Sequence, residues 1–240
     1  MDILKNTAGN ILSYNGTPLG TTWGGTPAPT YPTNGLIGRY TFDDVITDSS
    51  GEGNDMTQYS GSATYTTGKI GNAYILDDAT SQLRLTQAAI LNVFKGTGGG
   101  SMSFWLYPTG LDGGGYGLMY LNGGAPAHGM RMGWTPSANY VYMQRGGAGY
   151  ELFGTVGAVQ ADIWAHIVYT WDYATDAVLR SYVNTVAGGT VATTGTQISP
   201  TYFEFPGNYT LFGRLDLLYF YNRILSQAEI EQLYNSGSGV

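Results

Sequence analysis

The chain of 240 residues sets 17 Asp and Glu against 10 Lys and Arg, for a formal net charge of −7, and contains no Cys. That balance, with no run of Lys or Arg anywhere, argues against nucleic acid and anionic membranes as partners, and the missing Cys excludes disulfides and thiolate metal sites. With 42% hydrophobic and only 11% charged residues, 37 Gly and 20 Tyr, the composition suits a β-rich protein with many tight turns and uncharged outer faces, not a disordered one.

The opening "MDILKNTAGN" has no basic stretch followed by an apolar one, and no segment approaches membrane-spanning length. The expectation is a chain made in a cytoplasm without a secretion signal. Residues 1–34 then read differently from the rest. "TPLGTTWGGTPAPTYPTNG" carries Pro18, Pro27, Pro29 and Pro32 among threonines and glycines, which favours extended, polyproline-like backbone over helix or central strand. Ile3, Leu4, Ile11 and Leu12 are too sparse for a core. These residues are expected to form an extended arm that orders against a partner, with a single domain over 35–240.

From Leu36 on, short apolar or alternating runs recur between glycine-rich breaks: "LIGRYTF", "AYIL", "QLRL", "SMSFWLYP", "YGLMYL", "YVYMQ", "AHIVYTW", "VLRSYVN", "YTLFG" and "LLYFYN". They are strand-length and rich in β-branched and aromatic residues. Many short strands without intervening helices predict an all-β, two-sheet antiparallel sandwich or jelly roll. "LTQAAILNVF" reads as a helical turn over one edge. In "ILSQAEIEQLYNSG", Ser226 stands three residues before Glu229 as a capping box, Leu225 and Ile230 flank it as a hydrophobic staple, and Gly237 serves as a stop. This predicts a helix over 227–234 closing the chain against the sandwich.

The order of these features resembles laminin-G-like, concanavalin A-like jelly-roll domains. "GLIGRYTFDDVITDSSGEGND" matches their first strand and its Asp-Ser-Ser-Gly-x-Gly-Asn loop. "GKIGNAYILDD", "SMSFWLYP", "IWAHIVYTWD", "LRSYVNT" and "LFGRLDLLYFYNRILSQAEIEQLYN" follow in the family's order. The resemblance spans residues 35–235 and implies pairing of the first and last strands. Two departures stand out. Asn184 and Thr185 replace the Asp-Gly often found in one hairpin, and of two acids usual near the last strand only Asp216 remains, followed by Leu217.

Asp48, Ser50 and Glu52 alternate before Gly53 like the first half of an EF-hand loop, but Tyr59 stands where the bidentate acid belongs. What survives is a hard-cation site made of Asp48, loop carbonyls and the Asn54 side-chain oxygen. The resemblance supplies Asp216 as a distant partner and Asp77 as a further acid, so that a structural Ca2+ would tie the chain's two ends together. The alternative is a glycine-driven turn in which Asp48 acts as an Asx cap.

The jelly-roll family includes glycoside hydrolases, whose chemistry needs paired carboxyl groups. Of five Glu residues, none has the Glu-x-Asp-x-x-Glu spacing, and no nucleophile elbow is present. A non-catalytic protein is expected, with His166 as a structural strand residue. For recognition, the segment 116–153 is the most suggestive. Trp134, Tyr140, Tyr142 and Arg145, with His128 and Arg131 in an adjoining loop, are residue types that stack on sugar C–H faces and bond hydroxyl rims. The same residues also suit a plain strand face or a homo-oligomer interface. Taken together, the expectation is a virion structural, decoration or fibre protein of a bacteriophage. In it, residues 1–34 dock on other virion proteins and the jelly roll faces outward toward cell-surface glycan. The alternative is a carbohydrate-binding module of a secreted or cell-surface bacterial protein.

Overall fold

The computed structural model describes residues 3–5, 11–14, 17–18, 30–76, 81–95, 99–111, 118–122, 130–135, 140–145, 157–172, 178–192, 200–206 and 211–240. The chain divides into two compact units, Met1–Thr30 and Tyr31–Val240. In the first, β1 (Ile3–Lys5), β2 (Ile11–Tyr14) and β3 (Thr17–Pro18) form a small antiparallel sheet in that order. The stretch expected to be wholly extended thus carries local strands, and Pro18 is tolerated because β3 is an edge strand. Tyr31 to Asn34 go with the second unit. The Tyr221 hydroxyl donates to Pro32 O at 3.0 Å and Arg223 Nε to Asn34 O at 2.8 Å.

The second unit runs through β4 (Leu36–Tyr40), β5 (Thr57–Ser60), β6 (Tyr65–Thr67), β7 (Asn72–Leu76), β8 (Gln82–Leu85) and the short helix α1 (Ala88–Asn92). It continues with β9 (Gly99–Leu111), β10 (Met119–Asn122), β11 (Met130–Thr135), β12 (Tyr140–Arg145) and β13 (Ala165–Asp172). β14 (Val178–Val183), β15 (Val186–Ala192), β16 (Tyr202–Phe205), β17 (Leu211–Tyr221) and helix α2 (Gln227–Tyr234) complete it.

Among the described residues all strand pairings are antiparallel. A six-stranded sheet has the order β12-β11-β10-β16-β8-β5. An eight-stranded sheet has the order β15-β14-β13-β9-β17-β7-β6, with β4 pairing the far half of β17. The first and last strands of the sandwich therefore meet, Leu218 opposite Tyr40. This is the expected concanavalin A-like jelly roll.

Period-two alternation builds the core between the sheets. Leu83 and Leu85, Phe203 and Phe205, Phe104 and Leu106, and Ile167, Tyr169 and Trp171 point inward and are buried. A second apolar cluster lies on the outer face of the eight-stranded sheet. There Trp105, Val168, Tyr219 and Tyr221 are covered by Leu225, Ile230 and Leu233 of the C-terminal segment.

Helix α2 starts as its sequence requires. Ser226 accepts from Glu229 N while the Glu229 carboxylate accepts from Ser226 N. Its end differs from expectation. The left-handed residue is Asn235 (φ 47°), followed by Ser236 (φ 52°), so Gly237 lies beyond the stop. Asn also tolerates the left-handed region, and its side chain donates to Gly239 O.

Candidate functional site

The outer face of the six-stranded sheet gathers polar and aromatic side chains from strands far apart in sequence. Because alternate residues of β8 and β16 fill the core, Gln82, Arg84, Tyr202 and Glu204 share the opposite face. The strand register draws one row across the sheet: Gln144, Arg131, Tyr120, Glu204, Arg84 and Thr57 occupy mutually opposed positions.

At one end of this row Arg84 lies between two rings. Its guanidinium carbon is 3.1 Å from the Tyr59 ring centroid and 4.0 Å from that of Tyr202. One edge of the guanidinium is taken by Glu204, whose Oε2 accepts from Nε and from Nη2, each at 2.6 Å. Gln82 Nε2 donates to the other oxygen at 3.1 Å. Glu204 is only 2% exposed, so its charge is held in place by Arg84 and Gln82. Tyr59, in contrast, is 56% exposed. The arrangement is a rigid stack with one ring open to solvent and amide, hydroxyl and guanidinium groups beside it.

The residues proposed from sequence fall in different places. Trp134 belongs to β11 but faces the core. It is 2% exposed and its Nε1 donates to Val159 O at 2.8 Å. A buried ring offers no sugar a face, so Trp134 is a core residue and not a stacking platform. Arg131 sits in the polar row, opposite Tyr120 and Gln144, and is part of β11 instead of a loop. Tyr140 and Tyr142 stand opposite Thr135 and Gly133 at alternate positions of β12, and Arg145 stands opposite Met130. His128 and Asp77 lie outside the described residues.

Tyr59, Arg84, Tyr202 and Glu204 escaped sequence reading. The only signal was the polar member of each alternation in "QLRL" and "YFEF". Nothing local says that residues 120 apart in sequence form an ion pair.

The carboxylates of Asp48 and Asp216, considered for calcium, are engaged by the chain itself. Asp48 Oδ1 accepts from Arg39 N at 2.9 Å and Ser50 N at 2.8 Å, and Oδ2 from Ser50 Oγ at 2.8 Å and Asn54 N at 2.9 Å. Asn54 is buried and its Nδ2 donates to Ile37 O at 2.7 Å. Asp216, fully buried, receives Lys69 N at 2.7 Å and Ile70 N at 3.1 Å on Oδ2, and Leu217 N at 2.7 Å on Oδ1.

Burial pushes the Asp216 carboxyl up to about 7, although the three N–H donors favour its charged form; nearby Asp43 raises it further. Among the described residues no group of three or more His, Cys, Asp or Glu is placed to hold a metal ion. A cation bound by Asp48 and Asp216 would have to displace these donors, so the two carboxylates as arranged do not fit one.

His166 is a buried strand residue. Its Nε2 lies 2.8 Å from Ser103 Oγ, its ring packs against both Trp105 and Tyr234, which also stack on each other, and its Nδ1 has no partner. Burial pushes its pKa down to about 3, so the ring is neutral at physiological pH. Without a carboxylate on Nδ1 the Ser103–His166 pair lacks the third member of a triad.

Comparison with known proteins agrees with the architecture. Domain 4 of AbnA, an extracellular arabinanase from Geobacillus stearothermophilus solved with arabinotriose, superposes with a TM-score of 0.60. It shares 21% identity over 81% of this chain and 96% of that one. The binding domain of Paraclostridial Mosquitocidal Protein 1 gives 0.68 at 18% identity, over 85% of this chain and 53% of that one. The binding domain of Botulinum Neurotoxin DC, solved with SialylT, gives 0.63 at 14% identity, over 85% and 52%. The chain thus spans about half of each of these two toxin domains.

At these identities the likeness concerns the fold alone. No curated protein matches the chain. The sequence model of one family does match, over residues 77–231, which include β8 and β16 with their Arg84–Glu204 pair and the capped start of the helix that seals the sandwich. The sandwich, its strand order and that match agree: the chain belongs to the concanavalin A-like lectin/glucanases superfamily, in its laminin-G-like branch.

Proposed function

We propose that the protein is a non-catalytic carbohydrate-recognition domain that binds glycan on the outer face of its six-stranded sheet. The observation that carries this reading is the Tyr59–Arg84–Tyr202 stack locked by buried Glu204. Sugar rings offer apolar C–H faces, which an exposed and immobilised ring receives at little entropic cost. Gln82, half-buried on the same face, places an amide beside the stack. That one structural relative was solved with arabinotriose and another with SialylT supports the ligand class. A glycan array probed with the whole chain and with Tyr59→Ala tests the reading. Binding to a defined set of glycans, lost in Tyr59→Ala, is expected, and an array without signal contradicts it.

The division into two units favours a more specific setting. In a virion decoration or fibre protein, Met1–Thr30 anchors the chain to other particle proteins and the sandwich is displayed toward the host surface. Deleting residues 1–30 is then expected to abolish incorporation into particles while leaving glycan binding intact. Unchanged incorporation points instead to a binding module of a secreted or cell-surface protein.

A further inference from the structure

A second feature lies on the opposite side of the sandwich. Helix α2 and the C-terminal segment cover only part of the outer face of the eight-stranded sheet. Beyond them a groove of about 290 Å³ opens between Thr66, Ile75, Thr109, Phe212 and Arg214. Small-molecule sites run from about 300 Å³ upward, so the groove suits one ring-sized group and not a long oligomer.

Its walls differ in chemistry. Phe212 and Ile75 are half-buried and apolar, and the hydroxyls of Thr66 and Thr109 stand beside them. Arg214 closes the set. Its guanidinium carbon is 4.8 Å from the Tyr107 ring centroid, and Nη1 donates to Thr67 O at 3.1 Å. These contacts fix the side chain but leave most of its five N–H donors unused. Among the described residues Arg214 forms no ion pair, whereas Arg84 and Arg223 each hold a Glu. In a chain of net charge −7, an arginine held rigid beside a groove without a carboxylate is an anion receptor.

We infer that this groove is a second binding site, distinct from the six-stranded face, and that it takes a single carboxylate-bearing sugar residue, a uronic or sialic acid. The carboxylate pairs with the Arg214 fork, the C–H face of the ring packs on Phe212 and Ile75, and hydroxyls meet Thr66 and Thr109. The Arg84 guanidinium is unsuited to that task, because rings cover both its faces and Glu204 occupies its fork.

Titration calorimetry of the full chain with galacturonic acid, N-acetylneuraminic acid and neutral galactose tests the assignment. At least one of the two acids is expected to bind at least tenfold more tightly than galactose, with affinity falling as salt rises. Arg214→Met should lose at least tenfold, Phe212→Ala should weaken binding, and circular dichroism should show both variants folded. Tyr59→Ala should leave acid binding unchanged while removing glycan binding on the other face. Equal affinity for acid and neutral sugars, an undiminished Arg214→Met, or no acid binding at all overturns the second site. Loss of acid binding in Tyr59→Ala overturns it as well, by leaving a single site.

Discussion

Arg84 and Glu204, on adjacent strands 120 residues apart in sequence, form an ion pair in which a single carboxylate oxygen accepts two donors at 2.6 Å. Removing the arginine strands a charge that is almost entirely out of water. Arg84→Met is therefore expected to destabilise the domain by about 3 kcal/mol, and the double variant Arg84→Met/Glu204→Leu should recover most of that loss, because replacing both partners leaves no orphaned charge. Urea unfolding of the four species measures both numbers. A double variant no more stable than Arg84→Met contradicts the argument.

Asp216 predicts a pH dependence of stability. Its folded pKa of about 7 lies above the ordinary 3.8, so the folded chain keeps a proton that the unfolded chain releases. The resulting stabilisation is complete below the unfolded pKa and is lost as pH rises through 7. His166 acts in the opposite sense. Its folded pKa of about 3 lies below the ordinary 6.5, so its contribution is lost as pH falls below 6.5. The difference between wild type and Asp216→Asn isolates the first effect. Wild type should gain thermal stability relative to the variant on going from pH 8 to pH 5, and a difference that is flat with pH contradicts it.

The β14–β15 hairpin turns on Asn184 and Thr185, both left-handed at φ 48° and 71°. A two-residue turn with positive φ at both positions matches strand twist, but a β-branched residue is strained there. Thr185→Gly is expected to stabilise by about 1 kcal/mol, as relief of left-handed backbone predicts. Thermal unfolding checks this. Asn184 should not be exchanged, since its Oδ1 accepts from His166 N at 2.9 Å.

Helix α2 supplies a fourth test. Ser226→Ala removes the hydroxyl that caps Glu229 N and should cost about 1 kcal/mol. Hydrogen bonding to Arg223 and Ser226 holds the Glu229 carboxyl down at about 2, so its stabilising contribution is present above pH 4.5 and lost as pH falls toward 2. Glu229→Gln should therefore flatten the acid limb of the stability curve measured between pH 5 and pH 2.

How far the sequence reveals all this depends on the range of each interaction. The capping box of Ser226 and Glu229 is local and readable, as are the alternating strands and the helical turn near Ile90. β5, β6, β11, β15 and β16 lie outside the strand runs legible in the sequence. "TQYS", "YTT" and "VAGGTVA" have little apolar alternation, "YFEF" is too short to stand out and "MRMGWT" is interrupted by Gly133, so all five are held as strands by their neighbours' hydrogen bonds.

Trp134 shows the converse difficulty. Its residue type suits a binding site, but the parity of its strand decides whether it faces the core or solvent, and a shift of one residue reverses the answer. The candidate site is the least legible part. Tyr59, Arg84 and Tyr202 meet only through cross-strand register, which no local pattern encodes. Asp48 reads as a cation ligand in sequence, yet its four acceptor positions are met by N–H and O–H groups of its own loop and of β4.

The most direct test of the central claim is calorimetric titration of the strongest array glycan into wild type, Tyr59→Phe and Tyr59→Ala. Recognition on the six-stranded face predicts that Tyr59→Phe retains affinity within about threefold, while Tyr59→Ala loses about five- to tenfold, as expected when one stacked ring worth about 1–1.5 kcal/mol is removed. Undiminished binding by a folded Tyr59→Ala would contradict it.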